Sequence, residues 1–390
     1  MVEIKSYPAK NGDAFLVKAT NRPFSMLVDG GYAQTFQQHI KPDLLEIAAA
    51  GHALDLVVVT HIDADHIAGL LPFFRSNGRA AAPAIIPVRE VLHNSLRSLA
   101  APADVPVNVR PDDAELLREI RRRGYPSPTS TVEMEQEISA RQGQSLSQLL
   151  RLGGYHWNGH DGSSIVGEGG LTELQLPQAR IHILGPNRLR LESLRYWWIA
   201  EIRRLGLVGT LDNLDDIFEY LCAQEASEPG LQALAASEAE LAQVYFPDDS
   251  VTNGSSIAMS VELEDCRLLF LGDAWAEDIV TALQGAGPAL FDSIKIGHHG
   301  SVRNTSPALL ALVDSPHFFI STNGETHQHP DFAVLKAIVD RPAAFRRTLH
   351  FNYSTPASRR LKDYHRQSGA DFVVQEGAAG WITLSRSTVS

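Results

Sequence analysis

The sequence predicts an α/β fold that is interrupted by a large, mainly helical insertion. Residues 1–90 contain short apolar segments separated by turns, and the same strand-like pattern returns from residue 245 to 390. Residues 91–244 instead carry leucines at helical spacing between turn-rich breaks. The two strand-rich parts together have the size of one large α/β domain. We therefore expect one domain made of 1–90 and 245–390, with 91–244 inserted into it.

The first strand-rich part contains three short apolar runs. Residues 15–18 and 25–28 each adjoin a turn rich in Gly and Asp. Residues 54–60 (LDLVVVT) form a β-branched run whose length is typical of a buried strand. A helix is expected to begin near Asp65, directly after this run.

The insertion is predicted to be helical with one exception. Leucines recur at helical spacing around 146–150, and helical patterns return at 189–205 and 231–244. The segment 179–185 (ARIHILG) alternates like a strand, so we expect it to be a strand of the parent sheet.

The strand-like segments after residue 250 are 257–262, 267–271, 291–296, 317–321, 372–375 and 381–384. The first two flank the acidic turn Glu264-Asp265, which predicts a hairpin. The next two are each preceded by a helical stretch, as in βαβ units. The last two close the chain around a Gly-Ala-Ala-Gly turn.

Composition excludes several classes of protein. The chain has 390 residues and is 44% apolar, which is enough for a sizeable core. Its 34 basic and 46 acidic residues give a net charge of −12, which disfavours a passive nucleic-acid coat. The two cysteines, Cys222 and Cys266, are too far apart for a structural zinc motif. With no apolar run of about 18 residues and no secretory signal pattern, we expect a cytoplasmic protein without membrane contact.

The strongest chemical signal is the segment His61-Ile62-Asp63-Ala64-Asp65-His66. Four potential metal ligands lie within six residues, directly after a buried strand. A strand end followed by a helix start is a rigid platform, and mixed imidazole and carboxylate ligands suit a catalytic divalent metal. The alternative is an exposed polar loop that happens to be rich in His and Asp.

Two further strand ends carry ligand-type residues. Asp273 follows the run Leu269-Phe270-Leu271, and the pair His298-His299 follows residues 294–296. Alone, an Asp after a strand is usually a turn residue or helix cap, and a His pair is more often exposed. Three such strand ends together favour one shared metal centre.

These segments occur in the order seen in metallo-β-lactamase-fold hydrolases. The order is Asp29-Gly30-Gly31, then H-x-D-x-D-H, then Gly272-Asp273, then His298-His299-Gly300-Ser301. With the late His329-Pro330, the sequence more narrowly resembles the branch that contains the hydrolase domain of the DNA-uptake protein ComEC. The resemblance covers the two strand-rich parts and implies a four-layer αββα sandwich with metals at one edge.

The resemblance also implies which residues bind metal. His61 and Asp63 would hold a first metal ion, and Asp65 and His66 a second. Asp273 would bridge the two ions.

Further residues near the site follow from the same resemblance. His298 or His299 would complete the second site, and we favour His298 because it comes first after the strand. Asp29 would orient a ligand or a bound water. Asp65 is the best candidate to hold that water and accept a proton, and His329 is a candidate for contacting the substrate or its leaving group.

Two positions depart from the commonest family pattern. Asp63 replaces a histidine, and a site with three aspartates favours Mn²⁺ or Mg²⁺ over a histidine-rich zinc site, although Zn²⁺ stays an alternative. The second departure is at Asn253, which lies near the place of an expected histidine and is a weak ligand. His182 is a further candidate, but a strand histidine with apolar neighbours is more often a core residue.

The sequence therefore predicts a hydrolase with two divalent metal ions (Zn²⁺ or Mn²⁺) that activate water. The favoured substrate is a phosphodiester, with nucleic acid or a small phosphoester as partner. A hydrolase of a small ester, lactone or nucleotide and a non-catalytic partner-binding protein are the alternatives.

Two arginine runs lie in the insertion. Arg118 and 121–123 form one, and residues 188–204 form the other, interleaved with Tyr196, Trp197 and Trp198. Such a helix could bind single-stranded nucleic acid or a protein partner, and the alternative is an amphipathic helix whose arginines are solvated.

Overall fold

The computed structural model describes residues 1–99, 145–159, 165, 167, 172–204, 240–326, 328–377 and 380–384. Their strands are β1 Val2–Ser6, β2 Phe15–Ala19, β3 Phe24–Val28, β4 Leu56–Val59, β5 Gly78–Arg79, β6 Ala82–Pro83, β7 Val91–His93, β8 Glu173–Gln175, β9 Ala179–Gly185, β10 Ala258–Leu263, β11 Cys266–Phe270, β12 Ala289–Leu290, β13 Ser293–Lys295, β14 Val313–Asp314, β15 His317–Ile320, β16 Arg347–Phe351, β17 Phe372–Glu376 and β18 Ile382–Leu384.

The helices in the same residues are α1 Ala33–Thr35, α2 Lys41–Ala49, α3 Ala64–Ile67, α4 Leu70–Asn77, α5 Leu96–Leu99, α6 Leu146–Gly153, α7 Arg188–Arg204, α8 Leu241–Val244, α9 Val251–Gly254, α10 Ala276–Leu283, α11 Pro307–Leu312, α12 Phe332–Val339 and α13 Pro356–Ser368. A π-helical turn, Phe36–Ile40, joins α1 to α2, and Gln284–Ala286 and Gly297–Gly300 are 3₁₀ turns.

Two mixed sheets form the centre of the described part of the chain. One has six strands in the order β18-β1-β2-β3-β4-β7, and the other has eight in the order β17-β16-β15-β13-β11-β10-β9-β8. Apolar side chains from both sheets, such as Phe15 and Phe270, meet in a shared core between them. The predicted pairing of two sheets face to face is confirmed.

Helices cover the outer face of each sheet. Leu44 of α2, Phe73 of α4 and Leu150 of α6 pack against the six-stranded sheet. Ile279 of α10 and Leu335 of α12 belong to the core on the outer side of the eight-stranded sheet. Burying an apolar face on both sides of each sheet gives the four-layer αββα arrangement that the sequence predicted.

Parallel pairing sets the position of the site. β4 is parallel to its neighbours β3 and β7, and β13 is parallel to its neighbours β11 and β15. The carboxyl ends of parallel neighbours lie at the same edge of a sheet, which is where ligands bind in open α/β folds. The two sheets also meet at this edge, where the amide of Ile257 donates to the carbonyl of Thr60 (2.7 Å).

Several described elements of the segment 91–244 belong to the sheets. Val91–His93 pairs with β4, and β9, the strand predicted at 179–185, pairs with β10. The boundary predicted at residue 90 thus lies at the start of a sheet strand. The division of the chain into a domain and an insertion stays a prediction, because residues 100–144 and 205–239 lie outside the described residues.

The last two strands differ from the expected closing pair. β17 pairs with β16 in the eight-stranded sheet, whereas β18 pairs with β1 in the six-stranded sheet. These two consecutive strands therefore belong to different sheets. The hairpin predicted around Glu264 does form, between β10 and β11.

Candidate metal centre

The residues predicted from distant strand ends lie together at one edge of the two sheets. Asp29 follows β3, the segment 61–66 follows β4, and Asp273 follows β11. His298 and His299 follow β13 in the 3₁₀ turn Gly297–Gly300. All of them are buried except His298, whose side chain keeps 19% of its surface exposed. The spatial convergence required of a metal centre is therefore present.

One carboxylate oxygen lies at the centre of this group. The Oδ2 atom of Asp273 is 3.5 Å from Nε2 of His66, 3.6 Å from Nε2 of His299, 3.8 Å from Nε2 of His298 and 4.0 Å from Nε2 of His61. Four imidazoles thus present the same ring nitrogen to one oxygen. This geometry suits a carboxylate shared by cations placed between it and the imidazoles.

Hydrogen bonds to oxygen atoms fix the tautomers of His66 and His299. Nδ1 of His66 lies 2.8 Å from the Asp29 carboxylate, and Nδ1 of His299 lies 2.7 Å from the carbonyl oxygen of Ser321. A carboxylate and a carbonyl can only accept, so each Nδ1 carries the hydrogen and donates it. The lone pair of a neutral ring then lies on Nε2, toward Asp273.

The tautomers of His61 and His298 are fixed by hydrogen bonds to Thr60 and Asn304. Each of these two partners donates its own hydrogen to another group, so it accepts from the histidine. Thr60 donates its hydroxyl hydrogen to Asp29 (2.7 Å) and so accepts from Nδ1 of His61 (3.1 Å). Asn304 donates its amide to the carbonyl of Asp273 (2.9 Å) and accepts from Nδ1 of His298 through its Oδ1 atom (2.7 Å). In the neutral form of all four rings, which is the form that binds a metal ion, Nε2 is therefore the lone-pair nitrogen.

The residues present fit a bound metal ion. The buried Nε2 atoms of His61, His66 and His299 have no hydrogen-bond partner among the described residues. A buried acceptor without a partner is costly, and metal ions bound here would satisfy all three. The ligand-type atoms group as His61–His66–Asp273 and as Asp65–His66–His299, and a third group adds Asp13 and Asp29 around His66.

Asp63 and Asp65 lie on opposite sides of the loop after β4. Oδ2 of Asp63 is 3.4 Å from Nε2 of His61 and accepts from the hydroxyl of Thr252 (3.3 Å). Oδ2 of Asp65 is 3.5 Å from Nε2 of His299 and accepts from the amide of Asn11 (3.1 Å). The loop therefore offers one carboxylate beside His61 and another beside His299.

The charges in the cluster shift pKa values strongly. Burial would lower the pKa of His299, but Asp273 and Asp13 raise it to about 9. Burial would likewise raise the pKa of Asp65, but His66 and His299 hold it well below its usual range. Because the carboxylates outnumber their cationic partners, the site favours positive charge of any kind, protons or metal ions.

The two histidines of the predicted pair occupy different places. His299 is buried against Asp65 and Asp273, whereas His298 lies at the opening, with its ring centroid 5.2 Å from that of His329. The order along the chain had favoured His298 for the second site, and the contacts to Asp65 instead favour His299. The ligand roles of both stay predictions.

The backbone of this pair is strained. His298 has φ 43° and His299 has φ 53°, in the left-handed region that non-glycine residues rarely adopt. Such residues cost about 1–3 kcal/mol each and persist where the surrounding structure enforces them, often at functional sites. Here the strain turns two consecutive imidazoles toward the same carboxylate.

The amide nitrogen of Asn253 lies 3.4 Å from Nδ1 of His298, on the side of that ring away from the Asp273 carboxylate. This nitrogen donates to Asp248 (2.8 Å), which also accepts from Asn304 (2.9 Å). Asn253 therefore lies outside the group of predicted ligands. It shares the acceptor Asp248 with Asn304, the residue that orients His298. His182 lies on β9 near Glu173 (3.7 Å) and Glu262 (4.0 Å), and is neither in the centre nor fully buried.

Two charged residues of the cluster were not singled out from the sequence. Asp13 forms an ion pair with Lys295, and its Oδ1 is 3.3 Å from Nδ1 of His299. Asp13 follows Gly12 in what looks like an ordinary turn. The sequence offers one signal for this pair, which is that Lys295 is flanked by isoleucines at the end of a buried strand. A lysine is almost never fully buried unless it is paired, so this position indicates an anionic partner.

The arginine runs are only partly described. Arg190 of α7 stacks on Trp275 and pairs with Asp278 (2.6 Å), so it has a structural role near the site. The exposed Tyr196 lies on the same helix. The run around Arg118 lies outside the described residues.

Comparisons with known proteins agree with this architecture. Residues 8–133 match the family model described as the metallo-beta-lactamase superfamily. The match covers less than half of the chain, and the four-layer arrangement is the metallo-β-lactamase fold. Members of this superfamily are usually hydrolases and typically bind divalent metals. No curated protein sequence matches the chain.

Three solved structures are similar to the chain at low identity. Zn²⁺-bound PqqB from Methylobacterium extorquens is 14% identical (TM-score 0.34) over 95% of this chain and 87% of its own. A diphosphatase of the PhnP family is 8% identical (TM-score 0.38) over 99% and 98%. A mutant of the CmlA β-hydroxylase is 13% identical (TM-score 0.35) over 98% of this chain, which spans only 53% of that protein.

No helix among the described residues has both the length and the apolar character needed to cross a membrane.

Proposed function

We propose that this chain, which contains a metallo-β-lactamase-fold domain, is a metal-dependent phosphodiesterase with two divalent cations. His61 and Asp63 would hold the first ion. Asp65 and His66 would hold the second, with His299 rather than His298 completing that set. Asp273 would be a ligand shared by both ions.

The observation that carries this proposal is the convergence on Oδ2 of Asp273. Four imidazoles with fixed tautomers turn their lone pairs toward it within 3.5–4.0 Å. A partner-binding protein without catalysis has no use for buried acceptors that lack hydrogen bonds, since each one lowers its stability. Divalent cations bound here would supply Lewis acidity: they activate water at neutral pH and neutralise charge on a phosphoryl oxygen.

Asp65 holds the attacking water in this proposal. Its carboxylate is ionised, because His66 and His299 keep its pKa low against the effect of burial. Asn11 donates to its Oδ2 atom (3.1 Å), and the hydroxyl of Tyr32 in turn donates to Asn11 (3.0 Å). This chain of hydrogen bonds fixes the carboxylate, so that it can accept a hydrogen bond from water at a defined place.

His329 contacts the leaving group. Its ring lies next to that of His298 at the opening, 3.4 Å from Asp331. Burial lowers the pKa of His329 to about 4, although Asp331 acts in the opposite direction. The ring is therefore neutral at pH 7, and because its Nδ1 faces the Asp331 carboxylate, Nε2 is a hydrogen-bond acceptor for a hydroxyl of the substrate or its leaving group.

The donor set favours phosphodiesters over lactones. Three aspartates make the centre hard and anionic, which favours Mn²⁺ or Mg²⁺, with Zn²⁺ as the alternative. Hard cations bind phosphate oxygens well. Among phosphodiesters we favour nucleic acid, because arginines of the segment 91–244 would offset the net charge of −12.

Metal-dependent cleavage tests the proposal directly. The protein is incubated with plasmid, single-stranded DNA or RNA, each with Mn²⁺, Zn²⁺ or a chelator. We expect cleavage that requires the metal and is lost in Asp65→Asn and in Asp273→Ala. Asp265→Asn, which alters an exposed aspartate in the β10–β11 turn, is the matched control and should cleave normally.

The other substrate classes give distinct results. Hydrolysis of bis-p-nitrophenyl phosphate or of a lactone without cleavage of any polymer would favour a small substrate. Fewer than about one ion per chain after metal supplementation would favour a non-catalytic binding protein, because a dinuclear site needs two. Cleavage that survives in both site variants would refute the dinuclear mechanism.

A further inference from the structure

Lys295 is a buried cation inside the candidate metal centre. It is the last residue of β13 and is 3% exposed. Its neighbour Ile294 packs on the outer side of the eight-stranded sheet, so the lysine points into the layer between the two sheets. A lysine this deeply buried needs anionic partners, and their positions indicate what it does.

The ammonium group of Lys295 has three partners. It forms a close ion pair with Oδ2 of Asp13, donates to the carbonyl of Gly272 (3.0 Å) and lies 3.5 Å from Oδ1 of Asp273. Two of these partners belong to the strand end that carries the central carboxylate. The lysine thus links the turn before β2, where Asp13 lies, to the end of β11.

Asp13 is itself fixed to the metal-binding loop. Its amide donates to the carbonyl of Asp65 (3.1 Å), and its carbonyl accepts from the amide of Gly31 (2.8 Å). The turn approaches so closely that a Cβ on Gly12 would lie 1.9 Å from the carbonyl oxygen of Asp65. Asp13 therefore fixes the position of Lys295 relative to the loop that carries the predicted ligands.

The two oxygens of Asp273 face different groups. Oδ2 faces the four imidazoles, and Oδ1 faces Lys295. We propose that Lys295, anchored by Asp13, is a positioning residue that holds the Asp273 carboxylate with Oδ1 outside the centre and Oδ2 free to bridge two cations. This inference rests on the proposed function, since it assigns a role toward the metal ions.

The charges of the cluster agree with this role. Its buried carboxylates are Asp13, Asp29, Asp63, Asp65 and Asp273. Lys295 neutralises one of the five negative charges, and two divalent cations would neutralise the other four while all histidines stay neutral. A fixed ammonium inside the centre is thus compatible with two bound ions.

A simpler role would be to neutralise Asp13 and nothing more. The two roles differ when both members of the ion pair are removed together. Asp13→Asn combined with Lys295→Met leaves the net charge of the cluster unchanged, so a mere counter-ion would no longer be needed. A positioning residue would still be missing, because nothing would restrain Oδ1 of Asp273.

The test measures metal binding and stability rather than turnover. The variants are Lys295→Met, Asp13→Asn and the double variant, with Lys5→Met combined with Asp43→Asn as the matched control. Lys5 of β1 and Asp43 of α2 form a partly buried ion pair (2.6 Å). The readouts are Mn²⁺ per chain by elemental analysis, the Mn²⁺ dissociation constant by calorimetry, and the melting temperature in chelator.

We expect each single variant to melt at least about 5 °C lower in chelator, because it breaks the buried ion pair between Lys295 and Asp13. The double variant should recover much of this loss but bind Mn²⁺ at least about tenfold more weakly than the wild type, or bind one ion instead of two. The control pair should bind two ions normally. If a single variant does not fold, the double variant carries the test.

The outcomes separate this inference from the proposed function. A double variant that binds two Mn²⁺ ions with the wild-type dissociation constant would overturn the positioning role alone. A wild-type protein that binds no Mn²⁺ or Zn²⁺ would overturn the proposed function and this inference with it.

Discussion

Two groups of histidines in the described part of the chain have contrasting surroundings, and the contrast between them is instructive. In the candidate metal centre, His66 and His299 lie against Asp273 and other carboxylates. In the layer between the sheets, His317 of β15 and His350 of β16 contact each other, with Nδ1 of the first 3.0 Å from Nε2 of the second. The ring of His350 also stacks on Phe319 (4.8 Å).

The two settings shift pKa values in opposite directions. Burial and the neighbouring His317 lower the pKa of His350 to about 3, and burial also lowers the pKa of His317. In the centre, Asp273 and Asp13 overcome burial and raise the pKa of His299 to about 9. Carboxylate neighbours, rather than burial or histidine content, therefore distinguish a candidate cation site from a neutral histidine pair in a core.

The sharpest test of this contrast makes the same substitution in both settings. His299→Phe removes a predicted ligand, so kcat/KM should fall by about 10³-fold or more, and bound metal should fall with it. His350→Phe replaces a ring that stacks on Phe319, so metal content and activity should stay near the wild-type values. Elemental analysis and steady-state kinetics check both.

Equal loss of metal in the two variants would refute the contrast, since it would mean that metal loss follows from a damaged fold. Circular dichroism and melting curves provide the control for folding.

A smaller effect is expected when an outer residue of the centre is changed. Asp29→Asn replaces the carboxylate that accepts hydrogen bonds from Nδ1 of His66 and from the Thr60 hydroxyl with an uncharged amide. Both hydrogen bonds become weaker, while the predicted ligands stay in place. Metal affinity should fall by about 10–100-fold, as for outer residues of other metal sites. Calorimetric titration with Mn²⁺ measures this loss, and unchanged affinity would show that Asp29 does not orient His66.

The turn that carries Asp13 gives a test through backbone packing. A methyl group at Gly12 would lie 1.9 Å from the carbonyl oxygen of Asp65, so Gly12→Ala must displace the turn and should cost about 1–3 kcal/mol in the free energy of unfolding. Gly285→Ala is the control, because no atom lies within 4 Å of a Cβ there. Urea unfolding compares them, and equal stability would contradict the close packing of this turn.

The histidine pair between the sheets predicts a pH dependence of stability. An unfolded histidine has a pKa near 6.5, whereas the pKa of His350 in the fold is about 3. At a pH between these two values, the unfolded chain therefore binds a proton at this residue and the folded chain does not. The contribution of the neutral His350 ring to the free energy of unfolding is complete above pH 6.5. It is lost as the pH falls, by at most about 1.4 kcal/mol per pH unit.

His350→Phe should remove this part of the pH dependence between pH 6.5 and 4.5. The free energy of unfolding is measured in urea with chelator, for the wild type and the variant, at each pH. Parallel curves for the two proteins would show that His350 is not held neutral by its surroundings.

Local patterns were enough to predict most of the centre. The spacing of His61 to His66 directly after a β-branched run placed ligands at a strand end, and the same logic found Asp273 and the 298–299 pair. These residues do lie together, because the carboxyl ends of parallel strands share an edge. The family resemblance then supplied the αββα layers, which are confirmed.

Features that depend on distant partners could not be predicted in this way. Asp13 lies in a segment with the composition of an ordinary turn. Only its ion pair with Lys295, which belongs to the other sheet, shows that Asp13 is part of the centre. The strands β17 and β18 follow each other closely, yet each pairs in a different sheet. Short-range signals give the strands themselves, whereas their partners are set by packing across the whole molecule.

Anomalous diffraction from crystals soaked in Mn²⁺ tests the central claim most directly. The proposal predicts two anomalous peaks, about 3.5–4 Å apart, on either side of Oδ2 of Asp273. Peaks that are absent, or that lie away from the imidazoles around Asp273, would contradict it.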